Sequence, residues 1–332
     1  MIELKDYKTK LDLINTEKAI KIVKDGFEKS LANKLNLIRV TAPLFVSANS
    51  GLNDDLSGLE VPVTFTLKNE PEPLTIVHSL AKWKRMAINR YNLKPNQGLY
   101  TDMNAIRKDE TLDNLHSIYV DQWDWERVIT KQDRNLNHLK TIVNLIYDAI
   151  KETAAHICSI YPNLENYFPD EIHFLTTSEL EAIYPNLSSK ERETEITKKY
   201  GAVCLMQIGG ILKNGDPHDL RAPDYDDWDL NCDILIYYPP LEIAVELSSM
   251  GIRVDKSSLL KQLELTNKLE KLKYPYHQMI MNDELPFTIG GGIGQSRLCL
   301  VMLNKVHIGE VQSSYWDKKN LEYAKINNIK LL

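Results

Sequence analysis

Residues 290–297 read Gly290-Gly291-Gly292-Ile293-Gly294-Gln295-Ser296-Arg297, and the apolar run Leu298-Cys299-Leu300-Val301-Met302-Leu303 follows them. Glycines remove side chains from a backbone that a ligand or another segment approaches closely. The apolar run predicts a buried helix, and a glycine loop before a helix N-terminus offers free N–H groups to an anion. Arg297 adds a planar set of donors suited to phosphate. A tight turn before a core helix is the alternative, and the spacing departs from the dinucleotide-binding fingerprint.

Residues 116–126 show the clearest strand pattern in the chain. Side chains alternate between the two faces of a strand, so Ile118, Val120, Gln122 and Asp124 share one face. That face changes from apolar to polar along the strand, which predicts that the strand leaves the core and enters a pocket. The alternative is that the polar end simply reaches solvent. Two tryptophans on the opposite face favour a strand that is covered on both sides.

The rest of the sequence predicts helices and strands in separate runs. Helical patterns mark residues 16–37, a segment that begins at residue 78, residues 136–160 and, in a more polar form, residues 178–200. Strand patterns mark residues 38–46, 61–67, 202–208, 232–238 and 243–254. We expect Thr16 to cap the first helix and the acidic, aromatic residues 221–228 to form a loop. This order favours an α+β fold, an antiparallel sheet with helices packed against it, over a doubly wound parallel sheet.

Glu246 lies inside the apolar strand pattern of residues 243–254. A carboxylate that is buried without a partner is costly, so we expect Glu246 to face a cation or a pocket. Pairing with an arginine is the simpler alternative.

Composition limits the class of protein. The chain has 332 residues, enough for a large core in one or two domains, and no apolar run of about 18 residues that would predict a membrane span. A net charge of −6 gives no basic surface for general nucleic-acid binding. The first six residues include three charged ones and contain no apolar signal segment, and the four cysteines form no CxxC pair. We therefore expect a cytoplasmic protein without a disulfide framework or a cysteine zinc site.

Six segments, in order along nearly the whole chain, resemble the ammonia-dependent asparagine synthetases, which are single-domain aspartate–ammonia ligases. They are Asp54-Asp55-Leu56-Ser57-Gly58, His78-Ser79-Leu80-Ala81-Lys82-Trp83-Lys84-Arg85, Val120-Asp121-Gln122-Trp123-Asp124-Trp125-Glu126-Arg127, Arg221-Ala222-Pro223-Asp224-Tyr225-Asp226-Asp227-Trp228, Glu246-Leu247-Ser248-Ser249-Met250-Gly251-Ile252-Arg253 and the glycine stretch that ends in Arg297. Chance agreement of all six segments in this order is not credible.

The resemblance implies a fold and an activity. The fold would be α+β, similar to the catalytic core of class II aminoacyl-tRNA synthetases, with a mostly antiparallel sheet flanked by helices. Residues 1–332 would form a single catalytic domain, and the protein would be a homodimer. Enzymes of this family join aspartate to ATP as β-aspartyl-AMP with release of pyrophosphate, and ammonia then displaces AMP to give asparagine. The implied ligands are L-aspartate, ammonia, ATP and Mg²⁺, with no nucleic acid or membrane as a partner.

The resemblance also implies three catalytic residues. The aspartate carboxylate and the α-phosphate are both anionic, so cations must neutralise them and hold them in line. Arg107 would hold the α-phosphate, and Gln122 would donate to the carbonyl that is being activated. Asp54 would attract ammonium and accept its proton. Capping of its own loop is the simpler alternative for Asp54.

Substrate contacts are implied for two further groups of residues. The aspartate group is Ser79, Lys84, Asp124, Asp226, Ser249, Arg253 and Gly292, with the lysine and arginine on the α-carboxylate and the two carboxylates on the α-ammonium. The ATP group is Arg107, Leu115, Ser117, Val120, Asp233, Glu246, Leu247 and Arg297. Asp233 and Glu246 would also bind Mg²⁺, since oxygen donors on adjacent strands suit that ion. The serines at 117 and 249 have the alternative of being ordinary strand residues, and one of Lys84 and Arg85 is expected to be a solvated surface charge.

Residues 228–233 depart from the family pattern. The segment between Trp228 and the strand that carries Asp233 is shorter than in the family, and Cys232 replaces a glycine. We therefore expect a shortened loop near the substrate, which affects the metal assignment of Asp233 most.

Two other functions stay open at this point. The first is an adenylating enzyme that uses another acceptor, such as a tRNA, although the acidic chain has no spare length for an anticodon-binding domain. The second is a non-catalytic sensor of amino acids or nucleotides. A sensor has no need of Asp54 or Arg107, and both are present. Fold similarity alone does not decide between these functions, so the polar residues carry the argument.

Overall fold

The computed structural model describes residues 1–4 and 7–332. Lys5 and Asp6, which belong to the charged N-terminal segment considered above, lie outside the described residues. The helices span Leu13–Leu35 (α1), Ala81–Arg90 (α2), Leu136–Ile160 (α3), Thr177–Ile183 (α4), Ser189–Tyr200 (α5), Lys256–Leu265 (α6), Pro275–Met281 (α7), Gln295–Met302 (α8) and Lys318–Ile326 (α9). The strands span Leu37–Arg39 (β1), Phe45–Ser47 (β2), Thr64–Leu67 (β3), Glu70–Ile76 (β4), Gly98–Ile106 (β5), Tyr119–Val128 (β6), His173–Thr176 (β7), Ala202–Met206 (β8), Asp226–Tyr238 (β9), Ile243–Arg253 (β10) and Thr288–Gly294 (β11).

The strands form one large and one small sheet within the described part of the chain. The large sheet has eight strands in the order β1-β5-β6-β11-β10-β9-β8-β7, and the small sheet has the order β2-β4-β3. The neighbouring pairs β5–β6, β6–β11, β11–β10, β10–β9 and β9–β8 are antiparallel. The pairs at the two edges, β1–β5 and β7–β8, are parallel. The prediction of an α+β fold with a mostly antiparallel sheet is confirmed.

The core lies on one face of the large sheet, under α1 and α3. The helical spacing predicted for α1 is observed, with Ile20, Phe27 and Leu31 buried against the sheet. Trp123 on β6 is fully buried there, and its ring centroid lies 4.7 Å from that of Phe27. Because side chains alternate along a strand, Gln122 and its neighbours on the other face point away from this core.

The first helix begins earlier than predicted. Asp12 is its N-cap, and its carboxylate accepts a hydrogen bond of 2.8 Å from the Asn15 N–H. Thr16, the predicted cap, lies buried within the first turn, where its hydroxyl donates to the backbone oxygen of Leu11 at 3.3 Å. Aspartate is a strong N-cap residue, and its position three residues before Asn15 is the local signal for this start.

The glycine stretch is a strand, so the prediction of a loop before α8 is wrong. β11 pairs with β6 on one side and β10 on the other, and α8 begins directly after it. A Cβ added to Gly290 would lie 2.0 Å from Oε2 of Glu126, and one added to Gly292 would lie 2.4 Å from Oε1 of Gln122. Side chains from β6 therefore occupy the space over this strand, which is why glycine is required there.

The predicted short loop after Trp228 is also wrong. Asp226 and Asp233 belong to one strand, β9, although its register with β10 is irregular between Asp226 and Asn231. The connection in this region is instead residues 207–225, between β8 and β9. A Cβ at Gly209 would lie 2.7 Å from the Trp228 ring, so this connection packs closely on the start of β9.

Several other element predictions needed correction. Residues 38–46 contain parts of two short strands, β1 and β2, with Pro43 between them, and Gly98–Ile106, for which no strand was predicted, form β5. No helix in residues 1–4 and 7–332 is both long enough and apolar enough to cross a membrane.

Candidate active site

A cavity of about 450 Å³ lies on the face of the central strands opposite the tryptophan core. Its walls come from β6, β10, β11, the start of α2 and the connections before and after them. The predicted site residues that line it are Asp54, Ser79, Lys84, Arg107, Leu115, Ser117, Val120, Gln122, Asp124, Asp226, Glu246, Leu247, Ser249, Arg253, Gly292 and Arg297. Asp233 lies next to the cavity, in contact with Arg221 of its wall.

A buried ion pair of Lys84 and Asp124 forms part of the cavity floor. Lys84 Nζ contacts Oδ1 of Asp124 and donates a hydrogen bond of 2.9 Å to the backbone oxygen of Gly291. The second carboxylate oxygen of Asp124 accepts from the Leu80 N–H at 3.1 Å, near the start of α2. Burial lowers the pKa of Lys84, although Asp124 acts in the opposite direction. The pair is therefore fixed in place from three elements, α2, β6 and β11.

Arg85, the neighbour of Lys84, is also buried, so the expectation that one of the two is a solvated charge is wrong. Its guanidinium donates to the backbone oxygen of Val254 at 2.7 Å and to that of Pro286 at 3.0 and 3.1 Å. Arg85 thus links α2 to the residue after β10 and to the segment before β11, which is a structural role.

Arg253 is held between two carboxylates. Its Nε and Nη2 donate to Glu126 at 3.0 and 2.7 Å, and its Nη1 contacts Oδ1 of Asp226. Burial raises the pKa of Asp226, whereas the nearby Arg253 guanidinium opposes that rise. Glu126 was not predicted as a site residue. The signal was available, because Glu126 follows Asp124 by two residues and so shares its face of β6.

A second group of cavity side chains is cationic. The guanidinium of Arg107 donates to the backbone oxygen of His78 at 3.2 and 3.3 Å. Arg297 Nη1 donates to the backbone oxygen of Glu246 at 3.2 Å and lies 3.9 Å from its carboxylate. Arg221 was not predicted as a site residue, although it begins one of the six segments that carry the resemblance. Arginine side chains of this kind can bind the oxygens of a polyphosphate.

The two carboxylates predicted to bind metal lie on adjacent strands. Asp233 contacts Arg221 through Oδ2, and its buried Oδ1 has no hydrogen-bond partner in the described part of the protein. Burial and the neighbouring Glu246 raise the pKa of Asp233, while Arg221 opposes the rise. Burial also acts to raise the pKa of Glu246, but Arg297, Arg221 and Lys190 bring it below its ordinary value. A buried oxygen without a partner beside a second carboxylate fits a cation that prefers oxygen ligands.

A metal site can also take all of its ligands from protein side chains. No group of three or more His, Cys, Asp or Glu side chains arranged to hold a metal ion occurs among residues 1–4 and 7–332. Mg²⁺ is commonly bound by one or two carboxylates together with water and substrate phosphates, which matches the pair of Asp233 and Glu246.

Asp54 lines the cavity from the loop before β3. Its Oδ1 accepts a hydrogen bond of 2.9 Å from the Leu56 N–H, so the loop-capping alternative describes one of its contacts. The side chain is only 3% exposed and still lines the cavity. Tyr225 also lines the cavity, where burial and the charges of Asp54 and Asp226 raise the pKa of its hydroxyl. Tyr225 is a further cavity residue that was not predicted.

The predicted serines make different contacts. Ser117 is hydrogen-bonded to Ser314 at 2.7 Å, Ser249 accepts from Arg221 at 3.2 Å, and Ser79 accepts from the Ala81 N–H at 3.4 Å. All three line the cavity, and their contacts to substrate stay predictions.

Comparison with known proteins identifies the family to which this chain belongs. The family of aspartate–ammonia ligases matches residues 14–328. An aspartate–ammonia ligase of Clostridium perfringens (strain SM101, type A) is 59% identical over 99% of this chain and 98% of its own length. One of Fusobacterium nucleatum is 57% identical over 98% of this chain and 99% of its own length. The chain belongs to the aspartate–ammonia ligase family.

Solved structures agree with this member of the family in fold. An asparaginyl-tRNA synthetase of Pyrococcus horikoshii complexed with asparaginyl-adenylate has a TM-score of 0.65 and 14% identity, covering 90% of this chain and 68% of that chain. The asparaginyl-tRNA synthetase of Entamoeba histolytica in complex with asparaginyl-adenylate has a TM-score of 0.64 and 16% identity, covering 90% of this chain and 66% of that chain. This family member thus spans about two thirds of those longer chains. The fold is that of a class II aminoacyl-tRNA synthetase core, as the resemblance implied.

Proposed function

We propose that this aspartate–ammonia ligase amidates L-aspartate with ammonia in an ATP-dependent reaction through β-aspartyl-AMP, giving L-asparagine, AMP and pyrophosphate. The observation that carries the proposal is one cavity in which two buried pairs of opposite charge, Lys84–Asp124 and Arg253–Asp226, lie beside a group of arginines. The paired charges suit the α-carboxylate and α-ammonium of an amino acid. The arginines suit the phosphates of ATP.

In the first step, an oxygen of the aspartate side-chain carboxylate attacks the α-phosphorus of ATP. A new oxygen–phosphorus bond forms, and the bond to pyrophosphate breaks. Lys84 and Arg253 would hold the α-carboxylate while Asp124 and Asp226 hold the α-ammonium, which leaves the side chain to point at the nucleotide. Arg107 and Arg297 would neutralise the approaching anions, a role for which fixed cations are effective because they need no reorganisation. Gln122 would donate to the carbonyl oxygen of the activated group.

Mg²⁺ is proposed as the metal, with Asp233 and Glu246 as its protein ligands. The partnerless Oδ1 of Asp233 and the second carboxylate beside it support this assignment. When bound, the ion would supply positive charge to the phosphate oxygens of ATP. Arg221 would continue to balance the remaining negative charge of Asp233.

In the second step, ammonia attacks the carbonyl carbon of β-aspartyl-AMP. A carbon–nitrogen bond forms, and the carbon–oxygen bond to AMP breaks. Most ammonia is protonated at neutral pH, so the Asp54 carboxylate would attract ammonium and then accept its proton. The position of Asp54 on the cavity wall supports this role.

The assembly and cellular place of the enzyme are also proposals. We propose a homodimer in the cytoplasm, in which residues 1–332 form a single catalytic domain that needs no nucleic acid or membrane. One buried apolar cluster that extends from Leu11 to Ile329 supports the single domain, and the net charge of −6 agrees with independence from nucleic acid. Sedimentation equilibrium of the purified protein would measure the dimer.

The test of the reaction is pyrophosphate release from ATP, Mg²⁺ and aspartate, with and without ammonium, together with detection of asparagine and AMP. We expect asparagine and AMP in equal amounts, formed only when ammonium is present. Binding of ATP and aspartate without either product would favour the sensor and contradict the proposal. Transfer of the aspartyl group to tRNA would favour the other acceptor.

A further inference from the structure

The loop that carries Asp54, residues 51–58, is docked along its length on the segment of residues 268–277. We call residues 51–58 the Asp54 loop. At its start, Gly51 has a φ of +72°, and a Cβ there would lie 2.6 Å from Cβ of Tyr274. At its end, a Cβ at Gly58 would lie 2.6 Å from Nζ of Lys268. The backbone of the loop is therefore packed against this one segment at both ends.

The centre of the contact is an ion pair between Asp55 and Lys271. Lys271 also donates to Oδ2 of Asp224 at 2.9 Å, and that same oxygen accepts from Lys82 Nζ and His277 Nε2, each at 2.9 Å. Asp224 has no solvent exposure, and Lys82, Lys271 and His277 are all buried. Asp55 is the exposed member, with 43% of its side chain accessible, and it belongs to the Asp54 loop.

Asp55 supplies the second carboxylate of this cluster. Burial lowers the pKa of His277, although Asp224 opposes this. Burial also acts to lower the pKa of Lys271, but Asp224 and Asp55 raise it overall, so the ammonium stays charged. Two ammonium groups then face the single buried carboxylate of Asp224, and Asp55 supplies the second negative charge. A buried charge that loses its partner is strongly destabilising.

Asp54 is tied to the same docking by the chain itself. It precedes Asp55, and its backbone oxygen accepts a hydrogen bond of 3.0 Å from Nδ1 of His78. Displacement of Asp55 from Lys271 would therefore rotate the backbone from which the Asp54 carboxylate projects into the cavity. The residues proposed for adenylation lie on other elements, namely Arg107 after β5 and Arg297 on α8.

We infer that Asp55 and Lys271 form a clamp that holds the Asp54 loop in place for the ammonia step, with Asp55 as a positioning residue. The inference rests on the proposed function of Asp54. It separates the two half-reactions, because the clamp acts on the acceptor of the ammonium proton and leaves the groups around ATP unchanged.

The experiment compares Asp55→Asn with the wild-type enzyme in both half-reactions. Adenylation is followed by aspartate-dependent exchange of pyrophosphate into ATP, and amidation by asparagine formation over a range of ammonium concentrations. We expect exchange to stay within about twofold while kcat/KM for ammonium falls on the order of tenfold to a hundredfold, the effect of a small misplacement of a reacting group. Asp55→Glu keeps the charge and should recover most of the loss.

Three controls make the result specific. Asp25→Asn removes an exposed aspartate from another aspartate–lysine pair, with Lys21 on α1, and should change neither half-reaction. Lys271→Gln also removes the bond to Asp224, so it should impair amidation at least as much as Asp55→Asn. The double variant should be no worse than Lys271→Gln alone, because either single variant already removes the Asp55–Lys271 contact. Hydrogen exchange of residues 51–58 should be faster in both single variants, which reports on the loop directly.

Several outcomes would overturn the clamp. An Asp55→Asn enzyme with unchanged amidation would do so, as would equal losses in both half-reactions or additive effects in the double variant. If Asp55→Asn does not fold, Lys271→Gln carries the comparison of the two half-reactions. Asp54→Ala, measured in parallel, separates this failure from failure of the proposed function: loss of amidation in Asp54→Ala with normal amidation in Asp55→Asn rejects the clamp alone.

Discussion

The charged side chains of the cavity satisfy one another in this structure. Lys84 pairs with Asp124, and Arg253 pairs with Glu126 and Asp226, all with little or no exposure to solvent. These groups are fixed before an amino acid arrives, so little reorganisation is needed when it binds. The same arrangement means that removal of one partner leaves the other buried and unpaired, which is costly. Variants that keep shape are therefore better probes of these buried ion pairs than truncations to alanine.

Replacement of Asp54 by alanine is expected to separate the two half-reactions. The groups proposed to hold aspartate and ATP remain, so exchange of pyrophosphate into ATP should stay within about threefold of wild type. Amidation should fall on the order of a hundredfold or more, which is typical for loss of a general base. Asp54→Asn, which can still accept the hydrogen bond from Leu56, is the control for loop structure. Equal losses in both half-reactions would show that Asp54 has another role.

Replacement of Arg107 by alanine is expected to abolish adenylation. A fixed cation at the α-phosphate stabilises charge that develops in the transition state, and its loss should lower exchange on the order of a hundredfold to a thousandfold. Arg90→Ala, at an exposed position near the end of α2, is the matched control and should retain normal exchange. Pyrophosphate release at the normal rate by the Arg107 variant would contradict its assignment.

Strand β11 requires glycines because residues of the neighbouring strands β6 and β10 occupy the space that side chains on β11 would need. A Cβ at Gly292 would lie 2.4 Å from Oε1 of Gln122 and 3.3 Å from Oδ1 of Asp124. Gly292→Ala should therefore displace the end of Gln122 and narrow the aspartate site while β11 stays paired. We expect kcat/KM for aspartate to fall on the order of tenfold, with a thermal unfolding midpoint close to wild type.

The matched control for Gly292→Ala is Gly210→Ala, since a Cβ at Gly210 would meet no atom of the described protein within 4 Å. An unchanged kcat/KM for aspartate in Gly292→Ala would show that the Gln122 side chain can move without affecting aspartate binding or reaction. A large loss of stability in that variant would instead place the clash in the backbone of the sheet.

Elements with a strong local period were predictable from the sequence, and those defined by partners were not. The bounds of α3 match the predicted residues 136–160, because its apolar spacing repeats over several turns. β11 was missed as a strand because glycine has low strand propensity, and only its pairing with β6 and β10 makes it one. Asp226 was predicted to lie in a loop for a similar reason, since its pairing with Arg253 on β10 is not visible locally.

The candidate site divides in the same way. Residues inside the motifs, such as Asp54 and Arg297, could be named from the resemblance. Arg221 and Glu126 also lie inside the quoted motifs, but neither was predicted as a site residue, because the partners that give them a role, Asp233 and Arg253, lie on strands elsewhere in the chain. Pairing across a sheet joins residues that are far apart in sequence, and a single sequence records no sign of it.

The buried carboxylates predict how the whole molecule responds to acid. Burial acts to raise the pKa of Glu126, but Arg253 brings it below its ordinary value, and Lys82 and Lys271 similarly keep the pKa of Asp224 well below its ordinary value. A carboxylate with a lowered folded-state pKa stabilises the fold fully above its unfolded pKa, about 4, and that contribution is lost as the pH falls through the folded value. Asp226 and Asp233, whose pKa values are raised, act in the opposite sense.

A comparison of Glu126→Gln with wild type isolates one of these contributions. Urea unfolding followed by circular dichroism at pH 7, 5, 4 and 3 should show a less stable variant at pH 7, by about 3 kcal/mol, because Arg253 loses a charged partner. The difference should shrink as the pH falls below about 4. Glu17→Gln, at an exposed position on α1, is the control and should follow wild type at every pH. A difference that stays constant with pH would contradict the ion-pair account.

The place of β11 in the sheet has a consequence for how the protein is made. β6 ends at Val128 and β10 begins at Ile243, yet the strand that joins them starts only at Thr288. Until β11 has been translated, β6 and β10 each lack the neighbour that joins β1-β5-β6 to β10-β9-β8-β7. Unpaired strand edges favour aggregation, so we expect the nascent chain to be most prone to aggregate before β11 emerges. The parts of the aspartate site on β6 and β10 can come together across β11 only after that strand has been made.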